Sequence, residues 1–163
     1  MAEQVVSIAL EVPTREDARR LKSIMAEKTP ESWLVAADYC EDQGMQNQSA
    51  RLRSAGVLMD FVGNLLDTSK PHGGVRTGEV KLNGIAYRYS LWGGGKAICF
   101  DLQRWVVYHA DEHGPTGPEP GGCWVYECGV QLKRHYWLTR PDYRMKRLRD
   151  IAAQCGYETS LFR

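Results

Sequence analysis

Two imidazoles and two thiols at His109-x3-His113-x9-Cys123-x4-Cys128 form the densest set of metal-binding side chains in this chain. Two His and two thiolates supply the four soft donors of a tetrahedral zinc site. The spacing places them on a strand end, a Gly/Pro-rich loop over about 111–122, and a returning strand. On an unbroken strand Cys123 and Cys128 would lie ~16 Å apart, at roughly 3.3 Å per residue, and on opposite faces. Zinc therefore requires a bulge or turn at Glu127-Cys128-Gly129. Without one, the thiols are buried core residues and the histidines belong to an exposed loop. Cys123 or Cys128 could also pair with His109 or His135 as a thiol–imidazole couple, but no nucleophile motif flanks either cysteine. Gly93-Gly94-Gly95-Lys96 lacks the Gly-x4-Gly-Lys-Ser/Thr spacing of a phosphate loop and lies between strands, so it reads as a turn. No catalytic residue stands in a recognisable frame. The expectation is a protein that is not an enzyme and that needs no cofactor, zinc being the one candidate.

Charge is distributed unevenly. Residues 1–50 carry five basic and nine acidic side chains, residues 51–128 eight of each, and residues 129–163 eight basic and three acidic. Lys133 and Arg134, then Arg140, Arg144 and Arg147, alternate with Tyr136, Trp137 and Tyr143. Guanidinium groups bind phosphate and aromatic rings stack on bases, so this stretch is a candidate nucleic-acid face. The alternative is a solvated helix whose cations answer the acidic N-terminal half.

A third surface comes from aromatic residues at strand spacing. Ile85, Tyr87, Tyr89 and Leu91 fall on one face of a strand, and Trp105, Val107 and His109 alternate with Val106 and Tyr108. If one sheet face stays open, Tyr87, Tyr89 and Trp105 beside Arg88 and Arg104 are typical binding anchors. If the sheet curls, the same residues are core.

The elements that position these groups follow from periodicity. Val6, Ile8, Leu10 and Val12 have the period of two of a strand with one buried face. Thr14 caps a first helix over about 15–27, with Asp17 three residues on as a short capping box. Thr29-Pro30 opens a second helix ending near 43, because Pro fits the first helical position and Gly44 reaches the left-handed conformation that stops it. A third helix over about 46–66 carries Leu52, Leu58, Phe61, Val62, Leu65 and Leu66. After Ser69-Lys70-Pro71-His72-Gly73-Gly74 the period becomes two. Val80–Leu82 and Ile85–Leu91 flank Asn83-Gly84, a type I′ hairpin signal. Ala97–Leu102 and Arg104–His109 read as further strands, and Cys123–Leu138 as one long strand or two short ones. That is an antiparallel meander of four to six strands. Thr139-Arg140-Pro141-Asp142 then begins a last helix over about 141–154, closed by Gly156. The expected fold is a single α+β domain: helical over 1–68, sheet over 75–138, and a closing helix packed on the sheet with its tail over 139–163.

Within the second helix, Leu34-Val35-Ala36-Ala37-Asp38-Tyr39-Cys40-Glu41-Asp42-Gln43-Gly44, followed by Arg51-Leu52-Arg53, resembles the planctomycete repeat-companion family. That pattern is Leu-x-x-Ala-Asp-Trp/Tyr-Leu-Glu-Glu-x-Gly-Asp and then an Arg-Leu pair. Cys40 stands for the usual Leu and Met45 for the usual Asp, and the likeness covers about 20–50. The resemblance implies a module that accompanies repeat regions in larger bacterial proteins, without an assigned reaction. Independently of it, Asp38, Glu41 and Asp42 form an acidic edge on the helix, either a partner-binding surface or a solvated face.

At 163 residues, 43% hydrophobic and 25% charged, the composition is that of a folded globular chain. No run of about 18 apolar residues exists to span a membrane. Five widely spaced cysteines and a start without a basic leader segment point to a reducing cytoplasm. The reading is a non-catalytic protein-binding module, an adaptor or an inhibitor of a larger machine, its size suiting a phage or mobile-element protein that acts on host or defence machinery. The alternatives are nucleic-acid binding and a zinc-stabilised domain.

Overall fold

The computed structural model describes residues 14–108 and 118–160. The strand expected over residues 5–12 lies outside them, as do His109 and His113. The fold is α+β. Three helices, α1 (Arg15–Met25), α2 (Pro30–Asp42) and α3 (Gln46–Asp67), precede four strands, β1 (Arg76–Leu82), β2 (Ile85–Gly93), β3 (Ala97–Val107) and β4 (Gly122–Lys133), and two helices, α4 (Arg134–Thr139) and α5 (Pro141–Gln154), follow. The chain divides into two compact units, one made of residues up to Gly63 together with Pro141 onward, the other of Asn64–Arg140.

The first unit is helical. Thr14 Oγ1 accepts the Asp17 amide at 3.1 Å, and Thr29 Oγ1 accepts the Ser32 amide at 3.2 Å, so both threonines cap as their sequence context predicts. Gly44, at φ +78, ends α2. The Met45 amide reaches the Cys40 carbonyl at 2.8 Å and the Gly44 amide reaches Glu41 at 3.1 Å, the paired bonds of a Schellman stop. Met45 is buried there, which accounts for an apolar residue at a position where the resembling pattern has Asp. Trp33, Ala36, Ala37 and Cys40 form the inward face of α2. A Cβ on Gly56 of α3 would come within 3.1 Å of Trp33 Cβ, so the small residue lets the two helices approach. Asp17 is a second fastener. Its carboxylate accepts the Tyr39 hydroxyl at 2.6 Å and the Thr14 hydroxyl at 2.8 Å, tying α1 to α2. The Tyr39 bond, then the Thr14 bond, holds the Asp17 carboxyl below its ordinary pKa, and the same carboxylate raises that of Tyr39. The last helix, α5, groups with this unit and buries Met145, Leu148, Ile151 and Ala152.

The second unit is an antiparallel meander in the order β1-β2-β3-β4. Asn83 and Gly84, at φ +53 and +76, make the tight turn between β1 and β2. Ala97–Val107 is one continuous strand where the sequence suggested two. A bulge falls on β4, within Glu127-Cys128-Gly129. Leu102 pairs with Cys128 and Gln103 with Tyr126, which leaves Glu127 as the extra residue. The strand stops at Lys133, and residues 134–139 are helical rather than a further strand. Leu82, Tyr87, Leu91, Ile98, Phe100, Leu102, Cys128 and Leu132 are buried on one sheet face. Trp137 is also buried, and its indole N–H donates to Asp67 Oδ1 at 2.8 Å.

Candidate functional site

The opposite sheet face is polar and open. The register lines its residues up in two four-strand rows, Thr77–Ser90–Asp101–Gly129 and Glu79–Arg88–Gln103–Tyr126, with Trp105 paired to Trp124 beyond them. Thr77, Arg88, Ser90, Asp101, Gln103 and Tyr126 surround a hollow of about 330 Å³. Each of these side chains has a hydrogen-bonding group, and all four strands contribute. The bulge at Glu127 makes this possible, because it shifts β4 by one residue and brings Tyr126 opposite Gln103. Gly129 leaves room for Tyr126 and Asp101 to close over it. A Cβ there would lie 2.5 Å from the Tyr126 hydroxyl and 2.7 Å from Asp101 Oδ1.

Arg88 is held in a fixed pose. Its Nε and Nη2 both donate to Gln103 Oε1, at 2.8 and 2.5 Å, and its guanidinium carbon lies 4.9 Å from the centre of the Trp124 ring. Trp124 is in turn set by Trp105, whose ring meets it edge-on at 5.1 Å between centroids. The Trp105 indole N–H donates to the Glu119 carbonyl at 3.1 Å. Trp105 and Trp124 thus support Arg88 from one side and Gln103 from another. Tyr126 is 62% exposed, so its ring is accessible to an incoming group.

This arrangement differs from the aromatic face expected from spacing. Tyr87 is 1% exposed and lies on the buried face. Tyr89 shares that face, its ring lying where a Gly78 side chain would be. Trp105 is on the open side but only 7% exposed, so it acts through Trp124 and Arg88 rather than as an anchor. Arg104 lies on the face opposite Arg88, paired with Glu127 at 2.8 Å. Tyr126, Gln103, Asp101 and Trp124 were missed. Their signal is period two on β3 and β4, but the bulge reverses the phase of β4 and hides it.

The other candidate sets are separated. Asp38 and Glu41 stay exposed, and both reach Arg53 of α3, at 3.0 and 2.9 Å. Asp42 is exposed beside them. The basic C-terminal set divides. Arg134 is a structural clasp, donating to Gly95 O and Ser69 O at 3.0 Å each, to Ser69 Oγ at 3.2 Å and to Ala97 O at 3.3 Å. Lys133 and Arg140 flank the Tyr136 ring, 5.0 and 3.6 Å from its centre. Arg144 and Arg147 belong to the helical unit, where Arg147 pairs with Asp150 at 3.9 Å and faces Tyr143 at 5.6 Å. Cys123 and Cys128 are brought to one face by the bulge, yet they pair with Val106 and Leu102, four residues apart on β3. At about 3.3 Å per residue the two thiols do not reach one ion. Among the described residues no three His, Cys, Asp or Glu side chains are grouped to hold a metal. Nor, among them, is any helix long and apolar enough to cross a membrane.

No protein-family model, curated protein or solved structure matches this chain.

Proposed function

We propose that this chain is a small non-catalytic binding module whose partner is a protein, recognised on the open sheet face. The observation that carries this reading is Arg88, fixed between Gln103 and Trp124 next to the exposed ring of Tyr126. Arg and Tyr are the residue types that dominate binding energy at protein interfaces, and a side chain already fixed loses little entropy on binding. The acidic edge of α2, Asp38, Glu41 and Asp42, lies within the segment that resembles the repeat-companion family. That likeness supports an accessory role, as an adaptor or as an inhibitor of a larger machine, host or defence machinery included.

A second reading rests on a different observation. Lys133 and Arg140 flank Tyr136 next to the exposed His135, a small basic and aromatic platform suited to phosphate and base contact. Affinity capture with tagged protein, with and without nuclease, separates the two. The protein-binding reading expects a stoichiometric partner that survives nuclease and high salt, is lost with Tyr126→Ala and Arg88→Ala, and is kept with Arg140→Ala. Recovery of nucleic acid that falls steeply with salt and needs Lys133 and Arg140 would replace it.

A further inference from the structure

The open-face hollow holds two opposite charges that do not neutralise each other. Arg88 and Asp101 line the same space but form no ion pair, and among the described residues the Asp101 carboxylate has no side-chain partner. Both are half-buried. Half-buried opposite charges on neighbouring strands ordinarily pair, because each gains by it. Here Gln103 prevents that. It takes the Nε edge of Arg88 and turns the guanidinium along the strand row, with the Trp124 ring behind it. Three of the five guanidinium N–H groups stay unused by that bond. Glu79, directly across from Arg88 on β1, is exposed and makes no ion pair with it.

The register sets the two residues close together. Arg88 pairs with Gln103 and Ser90 with Asp101, so Arg88 and Asp101 are diagonal neighbours. Their Cα atoms are therefore about 7–8 Å apart. A ligand that satisfies both must carry an anion and a cation a few bonds apart. It must also meet hydroxyl groups, since Ser90, Thr77 and Tyr126 ring the gap. The volume, about 330 Å³, falls at the small end of small-molecule sites, which span roughly 300–1,000 Å³.

We infer that this hollow binds a small zwitterion of the α-amino-acid class, its carboxylate on the free edge of Arg88 and its ammonium on Asp101. The carboxylate meets planar paired donors, the geometry in which Arg recognises carboxylates most strongly. The ammonium takes the one carboxylate of the hollow. This goes beyond the protein-binding reading, with which it shares Arg88 and Tyr126 but not the ligand.

The test is a titration of the full chain with each L-amino acid at millimolar concentration, followed by amide resonances. The best binder is then compared with its methyl ester, which keeps only the cation, and its N-acetyl form, which keeps only the anion. The expected result is a saturable shift confined to Thr77, Ser90, Asp101, Gln103 and Tyr126, with each single-charge derivative weaker by about tenfold or more. Asp101→Asn should bring the free amino acid down to the affinity of its N-acetyl form, and Arg88→Gln down to that of the ester. Gly129→Ala changes no charge and should weaken binding at least tenfold by displacing the Tyr126 hydroxyl and Asp101 carboxylate that occupy the space of its Cβ, with the rest of the spectrum reporting an intact fold. The inference is overturned if no amino acid moves these resonances in the folded wild type, or if the free and N-acetylated forms bind equally. A null titration with a captured protein partner retained would remove the zwitterion alone. Loss of the partner with amino-acid binding retained would remove the protein-binding reading alone.

Discussion

Replacing Arg134 by Met removes a guanidinium that joins three chain segments. In the wild type it donates to Ser69, before β1, to Gly95 in the β2–β3 turn and to Ala97 at the start of β3, while its own residue begins α4. Two of its bonds are 3.0 Å and two are 3.2 and 3.3 Å. A hydrogen bond to a charged group contributes about 1.5–3 kcal/mol alone, and bonds from one guanidinium do not add in full. Ser69, Gly95 and Ala97 are half-buried, so water re-solvates part of what is lost. Met keeps the apolar stem. Together these give a loss of about 2–3 kcal/mol. At a urea slope of about 2 kcal/mol per molar, the unfolding midpoint of the sheet unit should fall by about 1–1.5 M. Tryptophan fluorescence is the readout. Arg140→Met is the matched control, because Arg140 is exposed and contributes only its stacking on Tyr136, about 0.5–1 kcal/mol. If Arg134→Met moves the midpoint no further than Arg140→Met, the clasp is wrong and Arg134 returns to the list of free surface cations.

Tyr39→Phe removes the bond to Asp17. The folded-state pKa of Asp17 is depressed, so its contribution is full above the unfolded value near 3.9 and is lost as pH falls through the folded value. The folded-state pKa of Tyr39 is raised, so that side of the bond is full below about 10 and is lost as pH rises through the folded value. The stability gap between wild type and Tyr39→Phe should therefore be flat between about pH 4 and 10 and close outside that window; urea midpoints across pH check it, and a gap that widens in acid contradicts it. Trp105→Ala empties a buried indole site and should cost about 3–5 kcal/mol. Because Trp124 then loses its edge contact, any ligand affinity that depends on Arg88 should fall as well, which titration of the folded variant measures. Gly78→Ala forces a methyl into the Tyr89 ring and should cost about 1–3 kcal/mol by urea unfolding, while Gly78→Ala with Tyr89→Ala should recover most of it. Arg53→Gln breaks only exposed pairs to Asp38 and Glu41 and should cost less than about 1 kcal/mol, with the difference shrinking in high salt.

Local chemistry determined much of this molecule from the sequence alone. Thr14 and Thr29 cap, Gly44 and Gly156 stop helices and Asn83-Gly84 turns a hairpin, because each depends on residues only a few positions apart. The α+β order and the meander follow from where the period changes from helical to two. What the tertiary structure decided is which strand face is open and which residues meet on it. One extra residue at Glu127 shifts the phase of β4, and no local pattern marks it, since a bulge is a property of two paired strands. That shift brings Tyr126 beside Arg88 and Gln103. The alternation of β2 places Tyr87 in the core and Arg88 on the open face, but alternation cannot say which of the two faces is buried. Burial also decides the role of the cations. Arg134 and Arg140 look alike in sequence, yet one binds four backbone and hydroxyl oxygens and the other lies on an exposed ring, because only folding brings Ser69 and Gly95 to the start of α4.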